Sequence, residues 1–243
     1  MPLTTGLPRT DDLRLPPLRL QSTLRPTGQA LFRLHWDIAV RGSENVPRSG
    51  PVVIAANHIG FADGPLLAAF SPRPVHVLTK KEMFTGAMGR FLSGVGQIPV
   101  ERHITDMRAV RMGIRVLRAG HLLGVFPEAN RGGGEMHLAK PGAAYFAMVT
   151  GARVVPLVYL GTRLPGGNRE SVPPRGSRMA LSFGPPLDFG QHGWPRRHDE
   201  LTRAGEEVRR ALVQLIEESQ AATGLALPGA LPEDLPHPDG HDG

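Results

Sequence analysis

The sequence predicts an α/β domain with a largely parallel central sheet flanked by helices. Short apolar runs rich in β-branched residues recur along the chain, and stretches with helical periodicity lie between them. This alternation is typical of parallel strands joined by helical crossovers. The 243 residues suffice for a sizeable hydrophobic core, and the absence of cysteine excludes disulfides, thiolate zinc sites and a cysteine nucleophile.

The run V-V-I-A-A at residues 52–56 is the clearest predicted strand, because consecutive apolar residues indicate burial on both faces of a sheet. A short predicted strand at residues 38–42 precedes it, and a turn rich in proline and glycine joins the two. The later predicted strands are residues 75–78, 97–100, 122–126, 154–159 and 179–183.

Amphipathic patterns predict helices between these strands. The helix that precedes the third long strand is expected to begin after a cap at Thr105 and to stop at Gly120. The predicted helices span residues 22–37, 64–70, 80–92, 106–119, 141–150 and 199–219.

The composition divides the chain into three parts. Residues 1–22 are rich in proline, arginine and leucine, so we expect a flexible leader. Residues 23–220 form the folded domain. Residues 221–243 are expected to be a disordered tail, because beyond Pro228 the sequence is mainly proline, glycine, aspartate and histidine.

Charge and composition favour a partner that bears phosphate. Basic residues outnumber acidic ones by 28 to 22, a net charge of +6, which suits an anionic membrane surface or a phosphorylated molecule. Nucleic acid is not an expected partner, because only 5% of residues are aromatic and no stacking ladder is present. No apolar run approaches the roughly 20 residues that cross a bilayer, and the N-terminus lacks a signal-peptide core. We expect a cytoplasmic protein associated peripherally with the cytoplasmic membrane face.

Residues 23–37 are a candidate membrane-surface helix. They mix leucine, phenylalanine and tryptophan with arginine and histidine, a composition that suits the lipid headgroup region. The alternative is a helix that packs on the domain and leaves its arginines in water.

Polar residues follow three of the predicted strands: Asn57 and His58 after the first, Glu101 and Arg102 after a later one, and residues 128–131 after another. In open α/β sheets the ligand site lies at the carboxyl ends of the strands. The sequence therefore predicts one site built from these three clusters.

The spacing of His58 and Asp63 indicates a base and its orienting carboxylate. On an uninterrupted helix five residues would place the side chains about 140° apart. Gly60 lets the backbone turn, so the carboxylate can reach the imidazole and leave its second nitrogen free as a base. The alternative is that His58 ends a loop and Asp63 caps the next helix. Arginine forks such as those of Arg102 and Arg131 bind phosphate oxygens in pairs.

Four sequence blocks resemble those of the glycerolipid acyltransferase family, the PlsC-like enzymes that include lysophosphatidic acid acyltransferases. The blocks read N-H-x4-D at residues 57–63, G-x-I-P-V-E-R at 96–102, F-P-E-x-x-R at 126–131 and V-V-P-L at 154–157. The resemblance covers roughly residues 38–187 and implies the fold of the glycerol-3-phosphate acyltransferases.

The resemblance also implies roles for individual residues. His58 is the catalytic base and Asp63 its partner, with oxyanion donors expected among backbone N–H groups near the helix that follows. The acceptor and its phosphate are assigned to the residues Asn57, Arg102, Glu128 and Arg131. This chain departs from the family's F-P-E-G-T-R block at residues 129 and 130, which are alanine and asparagine, so the acceptor's identity stays open.

The expected reaction moves a fatty acyl group from a thioester to a hydroxyl of a lysophospholipid such as 1-acylglycerol 3-phosphate, in phospholipid biosynthesis. The donor is an acyl-CoA or an acyl carrier protein, and no cofactor or metal is expected. A glycolipid or amine-bearing lipid is the alternative acceptor, and a non-catalytic lipid-binding protein is the alternative outside enzymes. His76, His103 and His137 are expected to be solvated or structurally satisfied rather than second bases.

Overall fold

The computed structural model describes residues 8–101, 103–128, 131–137, 139–193 and 197–232. The described part of the chain has an α/β fold, in which one β-sheet carries helices on both faces. The strands are β1 (Asp37–Arg41), β2 (Val52–Ala56), β3 (Val75–Lys80), β4 (Ile98–Val100), β5 (Leu122–Val125), β6 (Arg153–Leu160) and β7 (Arg178–Phe183). The helices are α1 (Arg19–His35), α2 (Asp63–Phe70), α3 (Gly86–Gly94), α4 (Met107–Arg118), α5 (Gly142–Thr150) and α6 (His198–Thr223).

The seven strands have the order β1-β7-β6-β2-β5-β3-β4, and the sheet is largely parallel, as predicted. β2, β3, β4, β5 and β6 pair in parallel, whereas β7 runs antiparallel to β6 and pairs in parallel with β1. Leu160 near the end of β6 lies opposite Ala180 near the start of β7. The carboxyl ends of five strands and the amino ends of β1 and β7 therefore share one edge of the sheet.

β2 is at the centre because its side chains serve two cores. Successive side chains of a strand point to opposite faces. Val53 and Ala55 lie in the core that contains residues of α4, α5 and α6. Val52 and Ile54 lie in the core that contains α2 and the region around Trp36. All four are fully buried, and burial of a side chain such as valine or isoleucine stabilises the fold by roughly 1.5–3 kcal/mol.

α1 packs on the domain through one polar and aromatic face. The Gln21 side chain is 3% exposed and bonds to both backbone groups of Val75, at 2.9 Å to the carbonyl and 2.8 Å from the N–H. Phe32 lies 6.3 Å from the Phe70 ring of α2. The alternative of a helix packed on the domain is thus correct for the face with Gln21 and Phe32. The membrane-surface prediction concerns the opposite face of α1 and stays a prediction. Among the described residues, no helix is both long and apolar enough to cross a bilayer.

The leader predicted for residues 1–22 requires a correction within its described part. α1 begins at Arg19, and residues before it lie along α4. Arg118 donates to the Pro8 carbonyl at 2.8 Å, and Arg111 donates to the Arg9 carbonyl at 2.9 Å. The proline-rich segment has few partners for its own carbonyls, so the arginines of α4 supply donors that the sequence pattern had placed in water. Residues 1–7 lie outside the described residues.

The tail predicted from residue 221 also requires a correction. α6 continues to Thr223 and ends at Gly224, whose φ of 68° is the left-handed conformation that glycine adopts readily. Leu225 and Leu227 then pack against the core, and Leu231 is 1% exposed. The segment is rich in proline and glycine, so its average composition indicated disorder although these single leucines are packed. Residues 233–243 lie outside the described residues.

Two smaller predictions near α3 and α4 change. Lys80 ends β3 instead of opening a helix, and a short 3-10 turn precedes α3. Asp106, not Thr105, caps α4, because its Oδ1 accepts from the N–H groups of Arg108 and Ala109 at 3.0 Å each.

Candidate active site

The turn between β2 and α2 brings His58 and Asp63 together, as their spacing predicted. β2 ends at Ala56 and α2 begins at Asp63, so the chain reverses within six residues. His58 Nδ1 lies 2.8 Å from Asp63 Oδ2. The pair lies at the edge of the sheet where the parallel strands end.

Asp63 is fully buried, and both of its oxygens accept hydrogen bonds. Besides the histidine, Oδ2 accepts from the N–H groups of Ile59 at 2.8 Å and Gly60 at 2.9 Å. Oδ1 accepts from the Thr162 hydroxyl at 2.5 Å. A buried carboxylate needs such partners, and its acceptor role assigns the proton to His58 Nδ1. His58 Nε2 is then the basic nitrogen of the neutral ring.

The imidazole of His58 is held on a second side by Phe126. The two ring centroids are 4.2 Å apart with an interplanar angle of 23°. The His58 side chain remains 15% exposed, and no described residue hydrogen-bonds to Nε2. The ring is therefore fixed by one hydrogen-bonding partner and one stacking partner, and Nε2 has no hydrogen-bond partner among the described residues.

Gly60 is required by a close approach of two backbone segments. A Cβ at this position would lie 2.3 Å from the carbonyl oxygen of Thr162. Its φ is not positive, so the sharp-turn reason inferred from sequence gives way to a packing reason. The glycine lets the turn with His58 lie directly against the segment after β6.

Asn57 does not occupy the substrate-binding position expected for it. Its side chain is fully buried, its Nδ2 donates to the Tyr159 carbonyl at 3.1 Å, and its Oδ1 accepts from the Tyr159 N–H at 2.7 Å. Both amide groups thus extend the pairing of β2 with β6. We reassign Asn57 from substrate binding to positioning of His58.

Glu128 ties the loop after β5 to the turn after β2. Its Oε2 accepts from the His58 N–H at 3.0 Å, and its Oε1 accepts from the Met136 N–H at 3.2 Å. Burial raises the pKa of this carboxyl, and the two backbone hydrogen bonds oppose that rise. The contacts that the structure shows for Glu128 are therefore positioning contacts, and a contact with substrate stays a prediction.

Arg131 lies next to the His58 turn. The N–H of the following residue, Gly132, donates to the His58 carbonyl at 3.0 Å. The Arg131 guanidinium lies over the Phe61 ring, with Cζ 5.3 Å from its centroid, and Nη1 donates to Glu170 Oε1 at 2.9 Å. Of the four residues assigned to the acceptor, Arg102 lies outside the described residues, as do residues 129 and 130 of the third block.

The backbone N–H groups nearest to His58 are not available as oxyanion donors. The N–H of His58 donates to Glu128, and those of Ile59 and Gly60 donate to Asp63. These three donors hold the carboxylates of Glu128 and Asp63, so oxyanion donors near the start of α2 stay a prediction for other N–H groups.

Thr162 and Arg163 are site residues that the sequence analysis missed. The Arg163 side chain is 1% exposed and donates to the carbonyls of Ile59 and Gly132 at 2.9 Å each and of Gly229 at 2.7 Å. It therefore joins the His58 turn, the Arg131 loop and the C-terminal segment. The signal was present, because Thr162 and Arg163 follow β6 at the same edge of the sheet.

Three side chains that follow β3 and β4 in the chain form a group of possible metal ligands. Side-chain ligand atoms of Glu82, Glu101 and His103 fall within 4.8 Å of one another. Glu82 and His103 are exposed, and Glu101 lies 3.6 Å from Lys81. Exposed acidic groups of this kind need no ion, so we assign no metal to them.

A mostly parallel α/β sheet with a His–Asp pair at the carboxyl ends of its strands is typical of an enzyme that binds its substrate there. The family model described as Acyltransferase matches residues 37–160, just over half of the chain. The chain belongs to the acyltransferase family, and within it to the PlsC-like O-acyltransferases, so the family predicted from the four blocks is confirmed.

Similar proteins carry the same name in two bacteria. The 1-acyl-sn-glycerol-3-phosphate acyltransferase of Bacillus subtilis is 30% identical over 189 residues, which cover 77% of this chain and 92% of that protein. Its namesake in Borreliella burgdorferi is 33% identical over 130 residues, 51% of this chain and 52% of that protein. The crystal structure of the LPA acyltransferase PlsC from Thermotoga maritima matches with a TM-score of 0.63 and 26% identity, over 83% of this chain and 80% of that chain.

Proposed function

We propose that the protein transfers a fatty acyl group from a thioester to a hydroxyl of a lysophospholipid such as 1-acylglycerol 3-phosphate, in phospholipid biosynthesis. The observation that carries this proposal is the hydrogen bond between His58 Nδ1 and the buried Asp63 carboxylate, which leaves Nε2 without a partner among the described residues. The names of the bacterial relatives support the choice of acceptor.

In the proposed reaction, His58 Nε2 takes the proton of the acceptor hydroxyl while that oxygen attacks the thioester carbonyl. The carbon–sulfur bond breaks, and the thiolate leaves with the electron pair. The imidazolium that forms is stabilised by Asp63 and then returns its proton to solvent or to the thiolate. Base assistance of this kind contributes roughly 10² to 10⁴ in rate.

Arg131 is proposed to bind the phosphate of the acceptor. The turn with His58 and the loop with Arg131 are hydrogen-bonded to each other, so phosphate on the guanidinium would place the acceptor beside the base. Arg102 is assigned a matching role by its motif position alone. The fixed geometry converts binding of a remote group into orientation of the reacting hydroxyl.

A comparison of His58→Ala with the wild type tests the reaction. The donors are acyl-CoA and an acylated acyl carrier protein. Release of the thiol would be measured, and the acylated product would be followed with a radiolabelled acyl chain. We expect His58→Ala to lower the rate by at least about 10² while the thermal unfolding curve stays similar. Substantial turnover by the variant would remove the histidine from this role, and no turnover by the wild type would favour a lipid-binding protein of the same fold.

A panel of acceptors distinguishes the remaining alternatives. The panel contains 1-acylglycerol 3-phosphate, glycerol 3-phosphate, a glycolipid and an amine-bearing lipid. The phosphate-bearing lysophospholipid is expected to have the highest kcat/KM, and a higher value for the glycolipid or the amine would redirect the assignment.

The protein is further proposed to bind an anionic membrane on the cytoplasmic face through α1. The exposed residues Leu20, Leu24, Leu31 and Leu34 fall within an arc of roughly 80° at 100° per residue, opposite the face that packs on the domain. An apolar stripe of this kind on a basic protein suits the boundary between headgroups and acyl chains.

Vesicle sedimentation tests this surface. Leu34, which is 68% exposed, can be replaced by glutamate with little effect on the fold. We expect Leu34→Glu to lower binding to vesicles that contain anionic lipid. Ala221→Glu, an equal charge change at an exposed position of α6, should bind as the wild type does. Equal binding by all three proteins would contradict the assignment of α1.

A further inference from the structure

Arg131 is already engaged by the loop between β6 and β7. Its Nη1 donates to Glu170 Oε1 at 2.9 Å and to the Arg169 carbonyl at 2.9 Å. The proposed function assigns the same guanidinium to the acceptor's phosphate. In the free protein, the Glu170 carboxylate therefore occupies the guanidinium that is proposed to bind the phosphate.

The two partners of this ion pair are held very differently. The Arg131 side chain is 19% exposed, and the Phe61 ring lies beneath its guanidinium. The Glu170 side chain is 74% exposed and faces solvent. Exposed ion pairs contribute little to stability, whereas a phosphate offers more negative charge and two oxygens to one guanidinium. Phosphate can thus displace the glutamate while the arginine stays in place.

The loop that presents Glu170 has a defined shape. Asn168 Oδ1 accepts from the Glu170 N–H and from the Ser171 hydroxyl, both at 3.0 Å, which forms a local turn. Farther along, the Trp36 Nε1 donates to the Pro173 carbonyl at 3.0 Å and ties the loop to the end of α1. The position of Glu170 opposite Arg131 therefore follows from bonds within the fold.

We infer that Glu170 takes the place of the acceptor's phosphate in the free enzyme and is displaced when a phosphate-bearing acceptor binds. This inference rests on the proposed phosphate-binding role of Arg131. Glu170 is thus an internal competitor for Arg131, because an acceptor must offer the guanidinium a stronger anion than a carboxylate to displace it. An acceptor without phosphate does not compete with Glu170.

Glu170→Gln tests the inference because it removes the charge at an exposed position and keeps the side-chain length. We expect KM for 1-acylglycerol 3-phosphate to fall by roughly two- to fivefold, the range for loss of an exposed ion pair, with the effect confined to KM. The matched control is Glu206→Gln, which removes an exposed glutamate paired with Arg209 on α6 at 2.7 Å. It should leave KM unchanged. In an Arg131→Ala background, Glu170→Gln should also leave KM unchanged, which isolates the pair.

Binding measured without turnover keeps this test separate from the proposed reaction. In a His58→Ala background, Glu170→Gln should tighten the Kd of 1-acylglycerol 3-phosphate by the same factor and leave that of a monoacylglycerol of equal chain length unchanged. An unchanged Kd for the phosphate lipid, or equal tightening for both lipids, would overturn the role of Glu170 and leave the proposed function untouched. Absence of acyl transfer by the wild type would instead count against the proposed function.

Discussion

Replacement of Asp63 by asparagine separates the charge of this residue from its hydrogen bonds. With the amide oxygen at the Oδ2 position, the side chain still accepts from His58 Nδ1 and from the N–H groups of Ile59 and Gly60. The NH2 group then faces the hydroxyl of Thr162, which can accept. The reverse orientation would leave two buried N–H groups unpaired, at about 1–3 kcal/mol each. The variant is therefore expected to keep the geometry and lose only the charge.

The missing charge should appear in the catalytic step. In the proposed reaction, Asp63 stabilises the imidazolium that forms when His58 takes the acceptor proton. If the base-assisted factor of roughly 10² to 10⁴ depends on that charge, its loss raises the barrier by about 2.7–5.4 kcal/mol. We expect kcat to fall by this factor and KM to change by less than about threefold, because Asp63 is fully buried and its oxygens are occupied by bonds within the protein.

The assay measures thiol release at saturating acyl-CoA and acceptor, together with thermal unfolding. Thr162→Val is the matched control, because it removes a hydrogen bond from the other oxygen of the same carboxylate and leaves the charge. It should lower the free energy of unfolding by about 1.5–3 kcal/mol, and kcat by less than about tenfold. An Asp63→Asn enzyme that keeps more than about a tenth of the wild-type kcat would refute the role of the charge.

Two further predictions concern the backbone and the response to acid. Gly60→Ala should lower the free energy of unfolding by about 1–3 kcal/mol and reduce kcat, because its Cβ would lie 2.3 Å from the Thr162 carbonyl oxygen. Gly64→Ala is the control and should be tolerated, because no atom lies within 4 Å of the added Cβ. Equal stability of the two variants in denaturant titration would contradict this reason. His76 is fully buried, and burial lowers its pKa to about 4 from 6.5. As the pH falls below 6.5, His76 takes up a proton in the unfolded chain before it does so in the folded protein. The free energy of unfolding should therefore drop by up to about 3 kcal/mol between pH 6.5 and pH 4. An equally steep loss in a His76→Asn variant would disprove the assignment to this histidine.

Features that depend on neighbouring residues could be predicted from the sequence. The bounds of β2 match the apolar run at residues 52–56, because a strand buried on both faces needs apolar side chains at every position. The pair of His58 and Asp63 could also be inferred, since only five residues separate them and the strand, turn and helix between them have local signals. The four motif blocks identified the family for the same reason: each is a short stretch with its own pattern.

Features that depend on distant segments could not be predicted. Thr162 bonds to Asp63 across 99 residues, and Arg163 bonds to Ile59 across 104 residues. No local pattern records which segment returns to a given edge of the sheet. Asn57 is an example. Its place next to the predicted base suggested a substrate ligand, but the order of the strands places Tyr159 beside it and engages both of its amide groups.

The sequence by itself determined the class of fold and the family and predicted the base, because apolar periodicity and short motifs are local properties of the chain. The tertiary structure decided how that base is held and what Arg131 contacts. Those contacts arise where β6 and its following loop return beside the turn after β2, and the hydrogen bonds of Thr162, Arg163 and Glu170 form only when that return is made.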